Sequence, residues 1–350
     1  MTSWWDGALH RSDPDNFYNI TKMETSSVIY DGAIVFLDSY TLNPGDLDWA
    51  ELKQCPGMVC YDRTSPEDVV RRIGDARIVI TNKTRLTEEI FAQLPDLHLV
   101  CVAATGYDVV DIAAAKRRGI TVCNCAGYST NAVAQMVLAH LLEVTNHVGH
   151  YTDEVCGERL WSKCPDFCFW DAPLMELEGL KAAIVGYGNI GSAVANRLRP
   201  FGVDLYTVSS KTPDQLPSDV KKLTIEEAFA TCDIISLNCP LNAQNAGFVN
   251  ASLLAHAREG IILINTGRGG LINEADVADA LKVGKLKAYC CDVLAKEPAL
   301  SDNPLLAAPN VYMTPHIAWA SPNARRRIIR ILSENIKAYL SGSPIGVVNP

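Results

Sequence analysis

Short apolar runs alternate with helix-period stretches along most of the chain. From Ala33 onward the strand-like runs are AIVFLD, ARIVIT, LHLVCVA and ITVCN, separated by the helical segments PEDVVRRIG, LTEEIFAQL and DVVDIAAAKRRG. Strands separated by helices predict a parallel sheet covered on its faces. Gly119, behind Lys116, Arg117 and Arg118, reads as a helix stop. A longer helix is expected from about Thr130 to Thr145, with Val133, Met136, Val137, Leu141 and Val144 on one face, serving either between domains or at a dimer contact. The segment Cys156 to Glu178, with Trp161 and Trp170, has no period and is expected to be a loop.

Six further strand-like runs begin near Ala182, Val203, Asp233, Ile261, Ala288 and Val311. Helical signals lie between the first five, including a capping box at Thr224 and Glu227 and a cap at Asn273. Six strands opened by a glycine turn match the doubly wound dinucleotide fold. The last helix, RRRIIRILSENIKAYL, lies beyond that set and is expected to return to the first domain, making that domain discontinuous. Residues 1–31 are polar and aperiodic and read as an extension, with Met23 an alternative start.

At 350 residues the chain exceeds one ordinary core and favours about two domains. With 48% hydrophobic and 20% charged residues it has the composition of a soluble enzyme. A formal charge of −9 speaks against a nucleic-acid partner, since phosphate binding draws on clustered Lys and Arg, and the basic groups here are short and separated. No apolar run reaches the length of a membrane span and the N-terminus lacks a signal core, so a cytoplasmic location and no membrane partner are expected. Several of the 12 cysteines, Cys101, Cys232, Cys239, Cys290 and Cys291, fall in or beside strands, where a thiol acts as a small apolar group. There is no CxxC pair and no zinc spacing, so no metal is expected. Only folding could assemble Cys123 and Cys125, or Cys164 and Cys168 with His147 and His150, into one.

The turn VGYGNIG follows the strand AAIV and opens a helix. In that context Gly186 permits the tight turn, Gly188 the approach of a pyrophosphate and Gly191 close packing of helix on strand. Tyr187, Asn189 and Ile190 lie within it, at a helix start that offers free N–H donors. At the end of the next strand, where an acid would bind the ribose 2′-hydroxyl, stands Ser209, followed by Ser210 and Lys211. Without that carboxylate both NAD and NADP remain open, Lys211 being either a phosphate ligand or a solvent-facing lysine. Cys239, Pro240, Thr266 and Gly267 are further expected cofactor contacts.

Arg268 in NTGRGG, Glu297 in CDVLAKEP and His316 in TPHIAWAS supply a cationic fork, a carboxylate and an imidazole. A guanidinium can hold two oxygens of a 2-keto acid. His316 can carry a proton near neutral pH, and Glu297 beside it would favour the imidazolium and fix its tautomer. Each alone has a bland reading as a surface or loop residue; three after successive strand ends point together to hydride transfer.

With these motifs in order, residues 32 to 350 resemble the D-2-hydroxyacid dehydrogenase family. FLDSYTLNPGDLDW, TNKT, ATGYDVVD and AGYST are similar to its glycerate dehydrogenase (hydroxypyruvate reductase) branch. The resemblance implies that Arg268 binds substrate, that Glu297 and His316 form the acid–base pair, that Asp292 contacts the carboxamide side of the nicotinamide, and that backbone N–H groups at Ala104, Thr105 and Gly106 bind the substrate carboxylate. It also implies a homodimer with the active site in a cleft between domains. Lys83 is a further substrate candidate or a surface lysine, and Trp319 a pocket wall or a core residue. Gly267 stands where many members carry alanine, a change expected to be mild. The expected fold class is α/β with two doubly wound parallel-sheet domains: a Rossmann dinucleotide-binding domain over residues 129–319 and a discontinuous flavodoxin-like substrate domain over residues 32–128 and 320–350. The expected activity is NAD(P)-dependent hydride transfer between nicotinamide and a small D-2-hydroxy acid or 2-keto acid, hydroxypyruvate or glyoxylate first. Alternatives are another 2-keto acid, formate or phosphite, or a nucleotide-sensing corepressor of the same fold.

Overall fold

The computed structural model describes residues 33–53 and 57–350; the extension expected over residues 1–31 lies outside them. The chain divides into two compact units, one ending at Tyr128 and taking in Pro322–Pro350, the other running from Ser129 to Ser321.

The first unit holds five strands: β1 (Ile34–Phe36), β2 (Met58–Cys60), β3 (Ile78–Thr81), β4 (Leu99–Val102) and β5 (Thr121–Asn124). All pair in parallel, in the order β2-β1-β3-β4-β5. This is the flavodoxin-like order. β3 and β4 are buried at every residue, as central parallel strands covered on both faces must be. The strand not anticipated is β2, which has three residues at the sheet edge and is only partly buried. The other edge is closed by the C-terminal segment: Val348 N donates to Val122 O at 2.8 Å, and Val122 N to Asn349 Oδ1 at 2.8 Å. Gly119 ends its helix with φ 70.

The Pro322–Leu340 helix lies in this unit, packed on β4 and on the Ala50–Lys53 helix. Its Arg325 is buried, donating to Asp46 at 2.7 and 2.5 Å and to Leu42 O at 3.0 Å. A buried guanidinium persists only when its donors are matched in this way.

The second unit holds seven strands: β6 (Lys181–Val185), β7 (Asp204–Val208), β8 (Val220–Lys222), β9 (Ile234–Leu237), β10 (Ile261–Asn265), β11 (Leu286–Cys291) and β12 (Val311–Met313). Their order is β12-β11-β10-β9-β6-β7-β8, all parallel, with the chain reversing direction across the sheet between β6 and β9. This is the Rossmann order with one strand added. Six strands were expected; the seventh, β8, is an edge strand whose two lysines are exposed, so it gives no apolar run.

Alternate strand residues feed two cores. Ala183, Ile235, Leu263 and Tyr289 face one, Ala182, Ile234, Ile262 and Ala288 the other, the period of two that a strand imposes. The Thr130–Asn146 helix packs its Val137, Leu141 and Val144 into the second of these cores, so that part of its apolar stripe is covered by its own sheet. The capping box at Thr224 and Glu227 and the Asn273 cap both form. Among the described residues all cysteines are free, and burial pushes the Cys291 thiol up to about 12. No described helix is long and apolar enough to cross a membrane.

Hydrogen bonding to Arg325 holds the Asp46 carboxyl below its ordinary range. Such a group adds stability above its unfolded pKa and loses it as pH falls through the folded value. Asp46→Asn is therefore expected to lower the melting temperature at pH 7, with the difference beginning to fade only as pH drops below about 4; circular-dichroism melts from pH 7 to 3 check this.

Candidate active site

Register decides which residues meet at the carboxyl edge of the second sheet. Val185 pairs with Val208 and Leu237, Leu237 with Asn265, Asn265 with Cys291 and Cys291 with Met313. The next residue of each strand therefore stands in one row: Gly186, Ser209, Asn238, Thr266, Asp292 and Thr314. Ligands of open α/β sheets bind beyond this edge, at the point where strand order reverses.

The three turn glycines each answer to a different constraint. Gly186 has φ +93, and a Cβ there would lie 2.7 Å from Cys239 N. On Gly191 it would lie 2.0 Å from Gly186 O, so helix and turn pack too closely for any side chain. At Gly188 it would meet nothing within 4 Å, leaving room for a ligand against the backbone. Gly188 is also the N-cap of the Asn189–Leu198 helix and supplies no side-chain cap, so the first N–H donors stay available to an anion. Tyr187 is buried in the core and Ile190 packs against it, so what they offer a ligand is main chain. Two buried oxygens in the row, Asn238 Oδ1 and Thr266 Oγ1, lack a hydrogen-bond partner within the protein. Open space at Gly188, free helix donors and orphaned acceptors together fit a dinucleotide. Asn238 was not anticipated; its signal was a polar residue closing an apolar strand.

Past β7 the Ser209 Oγ accepts from Lys211 N at 3.0 Å. This turn carries the Lys211 ammonium to 5.6 Å from the centroid of the Tyr187 ring. Cys239 is half-buried and Pro240 exposed at the end of β9.

Arg268 is half-buried, its loop fixed by Asn265, whose Nδ2 donates to Arg268 O at 2.9 Å and whose Oδ1 accepts from Gly267 N at 3.1 Å. The Arg268 Nη1 donates to Gly267 O at 2.9 Å. A Cβ on Gly269 would sit 1.9 Å from Leu294 C and 2.2 Å from Ala295 N. That contact presses the arginine loop onto the segment leading to Glu297. On Gly267 a Cβ would come no closer than 3.4 Å to any atom, an ordinary contact.

The His316 Nδ1 and Glu297 Oε2 are 2.6 Å apart, with 29% and 35% of their side chains exposed. The other oxygen, Glu297 Oε1, accepts from Leu294 N at 3.0 Å, which aims the carboxylate. His316 has φ 55, a conformation that non-glycine residues seldom take and that surrounding bonds must hold. Asp292 supplies them. Its Oδ1 accepts from Thr314 Oγ1 at 2.6 Å and Ile317 N at 2.8 Å, and its Oδ2 from Ala318 N at 2.8 Å. Expected as a cofactor contact, this buried carboxylate is largely occupied in shaping the His316 turn. Trp319 follows, half-buried.

In the first unit the carbonyls of Ala104 and Thr105 accept from Cys125 N at 3.0 Å and Asn124 Nδ2 at 2.7 Å. Because a trans peptide points its N–H opposite its C=O, the N–H groups of Thr105 and Gly106 turn away from β5. Lys83 is exposed on a loop whose N–H groups at residues 82–84 all donate to the Asp38 carboxylate, at 2.5 to 2.8 Å. The cysteine and histidine sets that folding could have assembled do not meet: among the described residues only His150, Glu154 and Asp171 bring possible metal-ligand atoms within 4.8 Å of one another.

The family model described as D-isomer specific 2-hydroxyacid dehydrogenase, NAD binding domain, matches residues 138–318. The chain belongs to the D-2-hydroxyacid dehydrogenase family. As such it is a nicotinamide-dependent oxidoreductase of CH–OH groups. It is 44% identical over 320 residues to a hydroxypyruvate reductase of Blautia hydrogenotrophica, covering 90% of this chain and 99% of that protein. To a glycerate dehydrogenase of Methylorubrum extorquens it is 37% identical, covering 82% of this chain and 90% of the relative. Among solved structures, an acyclic imino acid reductase in complex with NADPH and D-arginine matches with a TM-score of 0.79 at 28% identity, covering 90% of this chain and 99% of that one.

Gly269→Ala is expected to destabilise this dehydrogenase by about 3 kcal/mol or more, since backbone blocks the methyl, whereas Gly267→Ala should change stability by under about 0.5 kcal/mol. Urea unfolding of the two variants checks the contrast.

Proposed function

We propose that the protein reduces hydroxypyruvate, and with it glyoxylate, to the D-2-hydroxy acid, with His316 as general acid. The observation that carries this reading is the 2.6 Å contact of His316 Nδ1 with Glu297 on the same edge as Arg268. The relatives named for hydroxypyruvate and glycerate support the substrate class.

When bound, the nicotinamide ring supplies a hydride to the carbonyl carbon. Arg268 holds the carboxylate and carbonyl oxygen of the keto acid by two of its donors. Glu297 occupies Nδ1, so the transferable proton of His316 is the one on Nε2, and it passes to the oxygen as negative charge develops there. The same contact fixes the orientation of the ring. In the first unit, the N–H groups of Thr105 and Gly106 offer donors for a carboxylate, and Lys83 a cation on a fixed loop. Trp319 walls the pocket. Gly186 to Gly191, with Cys239, Pro240, Thr266, Gly267 and Asp292, would hold the dinucleotide.

NADPH is accepted beside NADH in this reading. Ser209 and Ser210 place no negative charge against a 2′-phosphate, and the Lys211 ammonium lies 5.6 Å from the centre of the Tyr187 ring. The chain works as a homodimer: Trp161, Phe167, Trp170 and Leu174 are 53%, 88%, 69% and 58% exposed in one segment, an apolar surface that a second copy would cover.

His316→Ala is expected to lower kcat for hydroxypyruvate roughly 10²–10⁴-fold with cofactor affinity nearly intact; an undiminished rate removes His316 from the acid role. For Ser209→Asp we expect the NADH/NADPH preference to rise about tenfold or more, because a like-charge contact disfavours the 2′-phosphate. An unaltered ratio in steady-state assays would show that the ribose is bound elsewhere.

A further inference from the structure

Behind the His316 turn lies a buried imidazole that the proposed reaction does not use. His140, on the Thr130–Asn146 helix, is 6% exposed, and its Nε2 is 3.3 Å from Thr314 Oγ1. A hydroxyl has one proton to donate, and an ionised carboxylate only accepts. With Thr314 Oγ1 2.6 Å from Asp292 Oδ1, that proton goes to Asp292. The threonine oxygen must then accept from His140, which fixes the histidine proton on Nε2. Burial pushes the His140 pKa below its ordinary value against the pull of nearby Asp292, and the neutral form with one N–H is the form such a chain needs.

The chain runs further. Asp292 also accepts from Ile317 N and Ala318 N, both at 2.8 Å, so bonds from one carboxylate reach both sides of His316. A carboxylate free to rotate would loosen all of them. Resting on the acid role proposed for His316, we propose that His140 is a positioning residue for the reaction: its Nε2–H directs the Thr314 hydroxyl onto Asp292 and thereby fixes the orientation of the His316 imidazole. A histidine that merely fills the core would contribute to stability and leave the chemical step alone.

The test uses the full chain, with kcat and KM for hydroxypyruvate and NADH measured for His140→Phe, His140→Gln and a His140→Phe/His316→Ala double variant. His140→Phe, which keeps a planar ring but not the donor, is expected to lower kcat about tenfold, the rate equivalent of one lost hydrogen bond, with KM for NADH unchanged. His140→Gln, whose amide N–H can reach Thr314, should recover most of the rate. In the His316→Ala background the phenylalanine should cost nothing more, because the group it positions is gone. An unchanged kcat for His140→Phe, a glutamine variant no better than phenylalanine, or a full tenfold loss without His316 would each overturn the proposal. If His140→Phe does not fold, Thr314→Val interrupts the same chain at its middle and should show the same loss; full activity there overturns it as well. A His316→Ala enzyme of undiminished rate would instead sink the acid role itself, an outcome read without any change at His140.

Discussion

One carboxylate organises the chemical end of the second sheet. Asp292 is buried and accepts from a hydroxyl and two backbone N–H groups, all belonging to the turn that carries His316. The turn holds a histidine at positive φ, which costs free energy unless something over-determines it. Acceptors on a short, rigid side chain at a strand end can do that, since the strand fixes where the carboxylate stands. The geometry of the His316–Glu297 pair thus depends on the packing of the central strands: their register sets Asp292, Asp292 sets the turn, and the turn presents the imidazole to Glu297.

The same edge explains why the remaining groups fall where they do. Parallel strands in register finish together, so the residues after them form a row regardless of their distance in sequence. Gly186 begins the row with a turn that admits no side chain, and Gly269 presses the arginine loop onto the segment that leads to Glu297. Three loops from different strands are thereby held by backbone contacts, which do not shift as flexible side chains do.

Much of this was legible in the sequence. Fully buried central strands are written as apolar runs, glycines and caps stand at strand or helix ends, and Arg268, Glu297 and His316 lie in the loops that follow successive strands, where local pattern carries meaning. What escaped were features whose cause lies far away in sequence. β2 and β8 have three residues each and sit at sheet edges, where half the side chains meet water and no apolar run is needed. The stripe on the Thr130–Asn146 helix was visible, but no local signal says which surface will cover it. The family resemblance implies a cofactor contact at Asp292, whereas its three partners in the turn, 22 to 26 residues on, leave no local signal. His140 read as one more residue of a helix, its partner being 174 residues away.

Strand register also constrains how such a chain can change over time. Adding or deleting one residue inside β9, β10 or β11 would exchange the two cores and displace every group beyond the strand end, so length changes there should be rare among descendants. The turns that enter strands from the opposite edge, such as residues 256–260 and 283–285, carry none of those groups and leave the row where it is. Variation in loop length should therefore collect on one side of the sheet, while the other keeps its spacing.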